Sequence, residues 1–509
     1  MAAVPITLLL LGSLVLGLWR PADARQARLT EAGFTGAALV TSLFVRRSIP
    51  STIGFAYLAP SLSSSASVKL DLSPWSWSLL VAALGFAFAQ TVLAGPRDAE
   101  EGRVRSSGWL AYAAVVALSI LAANTLTLIL AWALVISAQA WLVKGRGSPE
   151  TSPWGFLSSL DLAALVCLLA AQGLLRGGSS ELPGPTLAYA LLLGAGLVRL
   201  ASGLAAGERA VGKRDALRLG GLTAVSVLAM LSLDFGAKGA QALDGWLVVL
   251  GAGLLFWAGA SWWLAPPGEL RWPAWALAMT GAATLTAGAS QADAPSAFAA
   301  AGAVLVLAQG MASAGASRTF AGRIGSILAT ATTAGIPFLV GALLLGVLAV
   351  AGEPGGAAPI RWVGVLGVGA LSSRFLYEAL FPMRGGPAGQ PASVVGFLAL
   401  VVTAVLAAAL FAYLRTISPL PSTLAVVVCL AAAAGGTAVL RVVPIEGRSR
   451  LVRSLRWPSS LDISRLVRGL EVPMGAAARG VRDLLEGDAS LLWAFVVLLI
   501  GFLLLRGST

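Results

Sequence analysis

Two pairs of charged residues lie within long apolar stretches of the sequence, where a charge is costly and therefore informative. Arg199 follows Gly194 and Gly196, and Asp161 at the start of the preceding apolar stretch is its candidate partner. An arginine does not readily lose its proton, so it is a poor proton carrier. Two interpretations stay open: an altered ion path, or a structural ion pair, and the second is favoured.

Arg374 and Glu378 form the second pair. They are four residues apart on one apolar stretch, so they face the same side of a helix and are positioned to pair with each other. One interpretation is a second half site of a proton path. The other is an internally neutralised pair at a contact with another subunit.

The sequence lacks the residues that most cofactor and enzyme chemistry needs. It contains no histidine, and its two cysteines, Cys167 and Cys429, lie far apart in apolar runs. No metal-ligand cluster and no P-loop is found. We therefore predict no intrinsic catalytic site, no metal and no cofactor. Trp262 and Trp263, beside Pro266 and Pro267, are interpreted as part of an aromatic belt at a membrane boundary rather than as a ligand cage.

The composition predicts membrane-spanning helices. These helices must position the charged residues named above. Of the 509 residues 57% are hydrophobic and 11% are charged, whereas a soluble protein carries about 25% charged residues. Runs of roughly 17 to 25 apolar residues are long enough to cross a bilayer as helices. The predicted spans, about 16, lie near residues 3–19, 30–45, 75–94, 108–122, 124–143, 155–175, 185–205, 216–233, 245–265, 272–290, 296–316, 325–350, 360–381, 393–414, 420–440 and 489–505. The division between residues 122 and 124 is open, because one long kinked helix also fits.

The distribution of basic residues predicts the orientation. With the N-terminus outside, the loops on the inner side carry 24 Lys and Arg residues and those on the outer side carry seven. The net charge of +12 is thus a topology signal and an attraction to anionic lipids, with no nucleic-acid partner implied. The expected location is a bacterial inner (cytoplasmic) membrane. Residues 1–7 carry no Lys or Arg, so the first span is expected to be retained rather than cleaved as a signal peptide.

The C-terminal part differs from the rest of the chain. Residues 442–488 are rich in Arg, with apolar residues such as Ile463, Leu466 and Leu470 at helical spacing. This pattern predicts an amphipathic helix on the inner membrane surface, interrupted near Pro473. The chain therefore divides into a transmembrane bundle at 1–441, this segment at 442–488 and a C-terminal transmembrane anchor at 489–509.

Several segments resemble the antiporter-like membrane subunits of respiratory complex I and its relatives. Residues 122–143, AANTLTLILAWALVISAQAWLV, resemble the fifth helix of that family, and the SVKLDLSPWSWSLL stretch resembles the entry to its third helix. LLLGAGLVRLASG is similar to the seventh helix, with Arg199 at the place of a family Lys. ATTAGIPFLVGALLLG is similar to the broken twelfth helix through Gly335, Pro337 and Gly341.

The resemblance implies an architecture. It implies an all-α membrane protein with two inverted five-helix repeats, spans four to eight and nine to thirteen, inside the larger bundle. It also implies discontinuous helices around Arg199 and around Gly335 to Gly341. The tail is similar in order to the lateral helix and last anchor of the large distal subunit, but an ordinary interfacial helix fits it equally well.

The resemblance also implies what has been lost. Where the family has a proton-carrying Glu after Trp, this sequence has Ala133 after Trp132. The expected function is a divergent subunit of a multisubunit ion-translocating or electron-transfer complex, with an impaired proton path and an assembly or structural role. It would take part in catalysis only as a subunit of a proton-translocating oxidoreductase. The expected partners are other membrane subunits and lipids. The alternatives are an independent secondary transporter or lipid-linked substrate flippase, and an unrelated scaffold.

Overall fold

A computed structural model gives the fold of most of the chain. The described residues are 3–19, 23–55, 68–93, 99–144, 161, 163–171, 174, 184–209, 213–234, 244–264, 272–290, 293–313, 320–350, 358–381, 394–418 and 420–442. The predicted amphipathic segment and C-terminal anchor therefore lie outside the described residues, except for Val442.

The described part of the chain is predominantly helical. Its helices are α1 (Val4–Leu18), α2 (Ala24–Val45), α3 (Pro74–Leu93), α4 (Ala99–Ile120), α5 (Thr125–Lys144), α6 (163–171), α7 (Gly184–Arg209), α8 (Lys213–Asp234), α9 (Asp244–Trp263), α10 (Trp272–Ala289), α11 (Ala294–Ser313), α12 (Phe320–Thr333), α13 (Gly341–Val350), α14 (Ala358–Leu380), α15 (Val394–Leu414) and α16 (Thr423–Val442). A 3₁₀ turn at Arg46–Ser48 follows α2, and two short strands, β1 (Ser51–Phe55) and β2 (Val68–Leu72), precede α3.

The apolar helices are those of a multi-pass membrane protein. Within the described residues, seven helices are long and apolar enough to cross a membrane: α3, α8, α9, α11, α14, α15 and α16. Shorter apolar stretches lie in α1, α4, α5 and α7. The count of about 16 spans and the inverted repeat stay predictions.

The helices divide into a buried centre and an exposed periphery. The apolar stretches of α8 and α11 are almost wholly buried, whereas α9 and α16 expose large apolar side chains, among them Phe256 at 76%. Small residues allow close contact between neighbouring helices. A Cβ added to Gly281 of α10 would lie 2.6 Å from the backbone nitrogen of Leu255 in α9. Glycine is therefore needed where α9 meets α10.

A β-hairpin closes one end of the N-terminal helices. β1 and β2 pair antiparallel, from Ser51 opposite Leu72 to Phe55 opposite Val68. This hairpin brings the chain from α2 to the start of α3.

The strand β2 also fixes the connection between α4 and α5. Asp71 N–H donates to the carbonyl of Leu121 at 2.8 Å, and Ala123 N–H donates to the carbonyl of Lys69 at 2.9 Å. Asn124 Oδ1 then accepts from the backbone N–H of Thr127 at 2.9 Å, which caps α5. The chain between Ile120 and Thr125 is thus non-helical, and the division that the sequence left open is into two helices rather than one kinked helix.

A second interruption separates α12 from α13. Gly335 has φ of 72°, in the left-handed region that favours glycine. Pro337 supplies no N–H donor to continue the helix. A Cβ on Gly341 would overlap the carbonyl of Thr332, so the two segments approach each other at backbone distance. α12 ends at Thr333 and α13 begins at Gly341.

The prediction of a discontinuous helix around Arg199 is wrong. α7 is helical without interruption from Gly184 to Arg209. Its proline, Pro185, lies in the first turn, where a missing N–H is tolerated. Gly196 serves packing instead: a Cβ there would lie 3.1 Å from the Cε atom of Met230 in α8. Close helix contact, rather than a break in the backbone, explains the glycine at this position.

Candidate functional site

The structure brings Arg199 and Asp161 together. Nη1 of Arg199 lies 2.6 Å from Oδ1 of Asp161 at the start of α6. Nη2 donates to Oε1 of Gln139 in α5 at 2.7 Å. The side chains of Arg199 and Asp161 are 0% and 4% exposed. The guanidinium of α7 thus links α5 and α6 inside the protein.

Helix packing holds this site in place. Gly203, one turn after Arg199, packs directly against Thr223 of α8, where a Cβ would overlap the threonine side chain. The hydroxyl of Thr223 shares a hydrogen bond of 2.6 Å with that of Tyr112 in α4. α7 therefore contacts α8 closely one turn away from the point where Arg199 meets Gln139 and Asp161.

The chemistry of the site is that of a neutral pair. Arginine stays protonated, Asp161 supplies the balancing carboxylate, and Gln139 has no titratable group. The Nε atom of Arg199 is buried and has no hydrogen-bond partner among the described residues. The arrangement links three helices through an ion pair and a hydrogen bond.

Ala133 does not join this cluster. The buried face of α5 carries Trp132, Val135 and Gln139, whereas Ala133 is half-buried. Ala133 and Trp132 are about 100° apart around the helix axis. The carbonyl of Ala133 accepts a local hydrogen bond from Ser137 Oγ at 2.8 Å. The polar contact from α5 to Arg199 thus comes from Gln139, about 9 Å farther along the helix.

Arg374 and Glu378 also lie together, on α14. Nη2 of Arg374 is 2.9 Å from Oε1 of Glu378, and their side chains are 0% and 7% exposed. The neighbouring Ser373 connects two other helices: its hydroxyl accepts from Trp263 Nε1 at 3.0 Å, and its carbonyl accepts from Thr437 Oγ1 at 3.1 Å. The pair thus lies next in sequence to a contact that Ser373 makes among α9, α14 and α16.

The aromatic-belt interpretation is wrong for Trp262. This side chain is fully buried, and its Nε1 donates to the carbonyl of Leu371 at 3.1 Å. Its ring packs 5.4 Å from Trp275 and 5.2 Å from Phe375, measured between ring centroids. A proline-flanked tryptophan pair resembles a belt in sequence, but here α9 places Trp262 toward α10 and α14. Only the fold determines which face it occupies.

Sequence reasoning missed a third ion pair, Glu31 with Arg218. Nη1 of Arg218 in α8 lies 2.5 Å from Oε1 of Glu31 in α2, and both side chains are buried. Thr91 Oγ1 donates to the same carboxylate oxygen at 2.9 Å. The guanidinium also lies 4.4 Å from the ring centroid of Trp109 in α4, which is a cation–π contact. Four helices therefore meet at this pair.

The sequence contains a helix-capping signal at the start of α2, the helix that carries Glu31. Asp23 precedes Gln26 by three residues, and its carboxylate accepts from the Gln26 backbone N–H at 2.7 Å. This cap starts α2 at Ala24, well before the predicted span at 30–45. Within the longer helix, Glu31 lies on one buried face with Ala27 and Thr35. An earlier helix start would have identified Glu31 as a buried charge.

The described residues contain no group of three or more His, Cys, Asp or Glu side chains able to hold a metal ion. Cys429 is buried and Cys167 half-buried, and both are free thiols. The three buried pairs described above form ion pairs within the described part of the chain.

Solved structures share this fold. The chain is similar to a chain of the Mrp complex from Dietzia sp. DQ12-45-1b, with a TM-score of 0.66 and 15% identity over 98% of this chain and 62% of that chain. It is also similar to a chain of the membrane-bound sulfane sulfur reductase, an archaeal respiratory membrane complex, with a TM-score of 0.66 and 14% identity over 98% and 99%. The chain has the antiporter-like fold.

Respiratory complex I provides a third likeness. A chain of the Thermus thermophilus complex with bound NADH gives a TM-score of 0.63 and 15% identity over 85% of this chain and 99% of that chain. No protein-family model and no curated protein sequence matches this chain. The likeness is thus one of antiporter-like fold, and it confirms the resemblance that the helix motifs indicated.

Proposed function

We propose that this chain is a membrane subunit of a multisubunit ion-translocating or electron-transfer complex, with an impaired proton path and an assembly or structural role. Its fold supports the first part, because chains of an Mrp complex, of an archaeal respiratory membrane complex and of respiratory complex I share it. The charged sites support the second part.

The observation that carries the proposal is the buried ion pair between Arg199 and Asp161. A proton carrier must exchange its proton near the working pH. Arg199 does not do so, and protonating Asp161 would leave a buried arginine without a counter-charge. Removing one partner of a buried pair costs about 3–5 kcal/mol. This cost opposes proton uptake at the site.

The other candidate positions agree with this proposal. Ala133 carries no titratable group, and Gln139, which contacts Arg199, carries none either. Arg374 and Glu378 neutralise each other within one helix. The subunit thus retains buried charges that hold helices together.

Exposed apolar side chains at the periphery of the helix bundle support the proposal that the protein is part of a larger assembly. α9 exposes Trp246, Val249 and Phe256 at 74%, 64% and 76%. In a membrane, such faces contact lipid or other apolar helices. They give the subunit a surface for both of its expected classes of partner, lipids and membrane subunits.

The proposal is tested by the size and composition of the particle in which the protein occurs in its own membrane. A tagged chromosomal copy is extracted in mild detergent, and the size and protein content of the purified particle are measured by native electrophoresis and mass spectrometry. We expect a large assembly with other membrane subunits in fixed proportion. An untagged strain controls for background. Recovery of the chain alone from several mild detergents would contradict the proposal and favour the independent transporter or flippase.

A further inference from the structure

The cluster around Glu31 and Arg218 contains hydrogen-bond donors that no described residue satisfies. Nη1 of Arg218 bonds to Glu31, but its Nε and Nη2 atoms are buried and have no partner among the described residues. The indole Nε1 of the adjacent Trp109 is likewise buried without a partner among the described residues. The side chain of Arg218 is only 4% exposed, so bulk solvent does not supply the missing acceptors.

Unsatisfied acceptors lie on neighbouring helices of the same cluster. Gln309 of α11 donates from Nε2 to the carbonyl of Leu217, the residue before Arg218, at 3.3 Å. Its Oε1 atom is buried without a partner among the described residues. Gln90 of α3, next to the Thr91 that bonds Glu31, likewise has a buried Oε1 without a partner there.

Gly221 brings α8 close to one of these acceptors. It follows Arg218 by three residues, so the two lie on the same face of α8. A Cβ on Gly221 would lie 2.9 Å from Oε1 of Gln309 and 2.7 Å from the ring of Phe86. Glycine therefore lets α11 approach α8 here, and it places the Gln309 oxygen beside the helix face that carries Arg218.

Buried donors and acceptors in proteins are almost always hydrogen-bonded, and internal water supplies the bonds that the protein does not. Here guanidinium donors and amide acceptors share one cluster but do not bond each other. We propose that this cluster is an internal water-binding site, in which water bridges Arg218, Gln309 and Gln90 and solvates the ion pair to Glu31. The inference is independent of the function proposed above.

The site lies toward the end of the bundle at which α3 and α11 end and α8 begins. Arg218 is in the second turn of α8, and Gln90 and Gln309 are in the last turns of α3 and α11. Water held here would keep the Glu31 carboxylate hydrated although helices surround it. Water, rather than an anion, is the ligand, because Glu31 already balances the charge of Arg218.

Radiolytic hydroxyl-radical footprinting of the full chain in native membranes tests the proposal. X-rays convert bound water to hydroxyl radicals, which oxidise the nearest side chains, and mass spectrometry measures the rate at each tryptophan. Trp109 and Trp262 are matched, because both are buried, but Nε1 of Trp262 is bonded to a carbonyl. We expect Trp109 to be oxidised severalfold faster than Trp262. Equal, slow rates for the two would overturn the proposal.

A variant links the water to this cluster. Gln309→Leu removes an acceptor without altering the ion pair, and we expect it to lower the oxidation rate of Trp109 severalfold. Thr284→Ala, which loses only a hydrogen bond within α10, should leave that rate unchanged. Thermal unfolding of each purified variant shows whether it is correctly folded. An unaltered rate at Trp109 in correctly folded Gln309→Leu would show that the cluster does not hold the water.

Discussion

The ion pair between Arg199 and Asp161 predicts that removing the acid costs more stability than removing the base. Asp161→Asn leaves a fixed positive charge in a site where both side chains are almost wholly buried, with Gln139 as the other hydrogen-bond partner. We expect a loss of about 3–5 kcal/mol of stability, the usual cost of removing one partner of a buried pair. Arg199→Leu should cost less, because an isolated buried carboxyl can take up a proton and lose its charge.

The double variant provides the decisive comparison. With both charges removed, Arg199→Leu combined with Asp161→Asn should recover part of the stability that Asp161→Asn loses. We expect a coupling energy of about 2–3 kcal/mol, near the upper end for residues in direct contact. A difference of 1–2 kcal/mol already changes abundance several-fold, so membrane levels should report the effect.

The assay is quantitative immunoblotting of membranes together with thermal unfolding of the purified chain. Ser137→Ala is the control on α5, since Ser137 is exposed and bonds only to its own helix. Wild-type abundance for Asp161→Asn, with no coupling in the double variant, would refute the interpretation of the pair as a structural link.

Three further changes test other parts of the structure by thermal unfolding. Glu31→Gln should lower stability, and Arg218→Leu in the same chain should restore part of it; additive losses would contradict the pairing. Gly335→Ala should cost about 1–2 kcal/mol, because its φ of 72° is left-handed, whereas Gly194→Ala, which meets no atom within 4 Å, should cost nothing. Burial raises the pKa of Asp71, so folding disfavours its ionised form; Asp71→Asn should stabilise the protein at neutral pH, and this gain should disappear below about pH 3, where the carboxyl is protonated in both the folded and the unfolded state. A gain that does not change with pH would contradict that reasoning.

Features that depend on short stretches of chain were predictable. The apolar runs identified the helices, and Asn124, which caps α5, marked the division from α4. Arg374 and Glu378 are four residues apart, so their shared face follows from helix geometry alone. In each of these cases the interacting groups are close in sequence.

The pairing of Arg199 with Asp161 was predicted across two helices, but several other features that depend on distant parts of the chain were not predictable. Gly196 weakens a helix in isolation, but in the structure it contacts α8, and α7 continues. Trp262 is buried because α10 and α14 cover it. Glu31 and Arg218 are 187 positions apart, and each lies at or near a predicted helix end in sequence. Their contact exists only because α2 and α8 are brought together by the fold.

Proton flux through the isolated chain tests the central claim most directly. The purified protein is placed in liposomes, a pH gradient is imposed, and a fluorescent dye reports the internal pH, while a protonophore added at the end shows that the vesicles are sealed. Since an arginine does not readily lose its proton and Asp161 balances the charge of Arg199, flux should equal that of empty vesicles. Saturable proton flux that rises with the amount of protein would contradict the account.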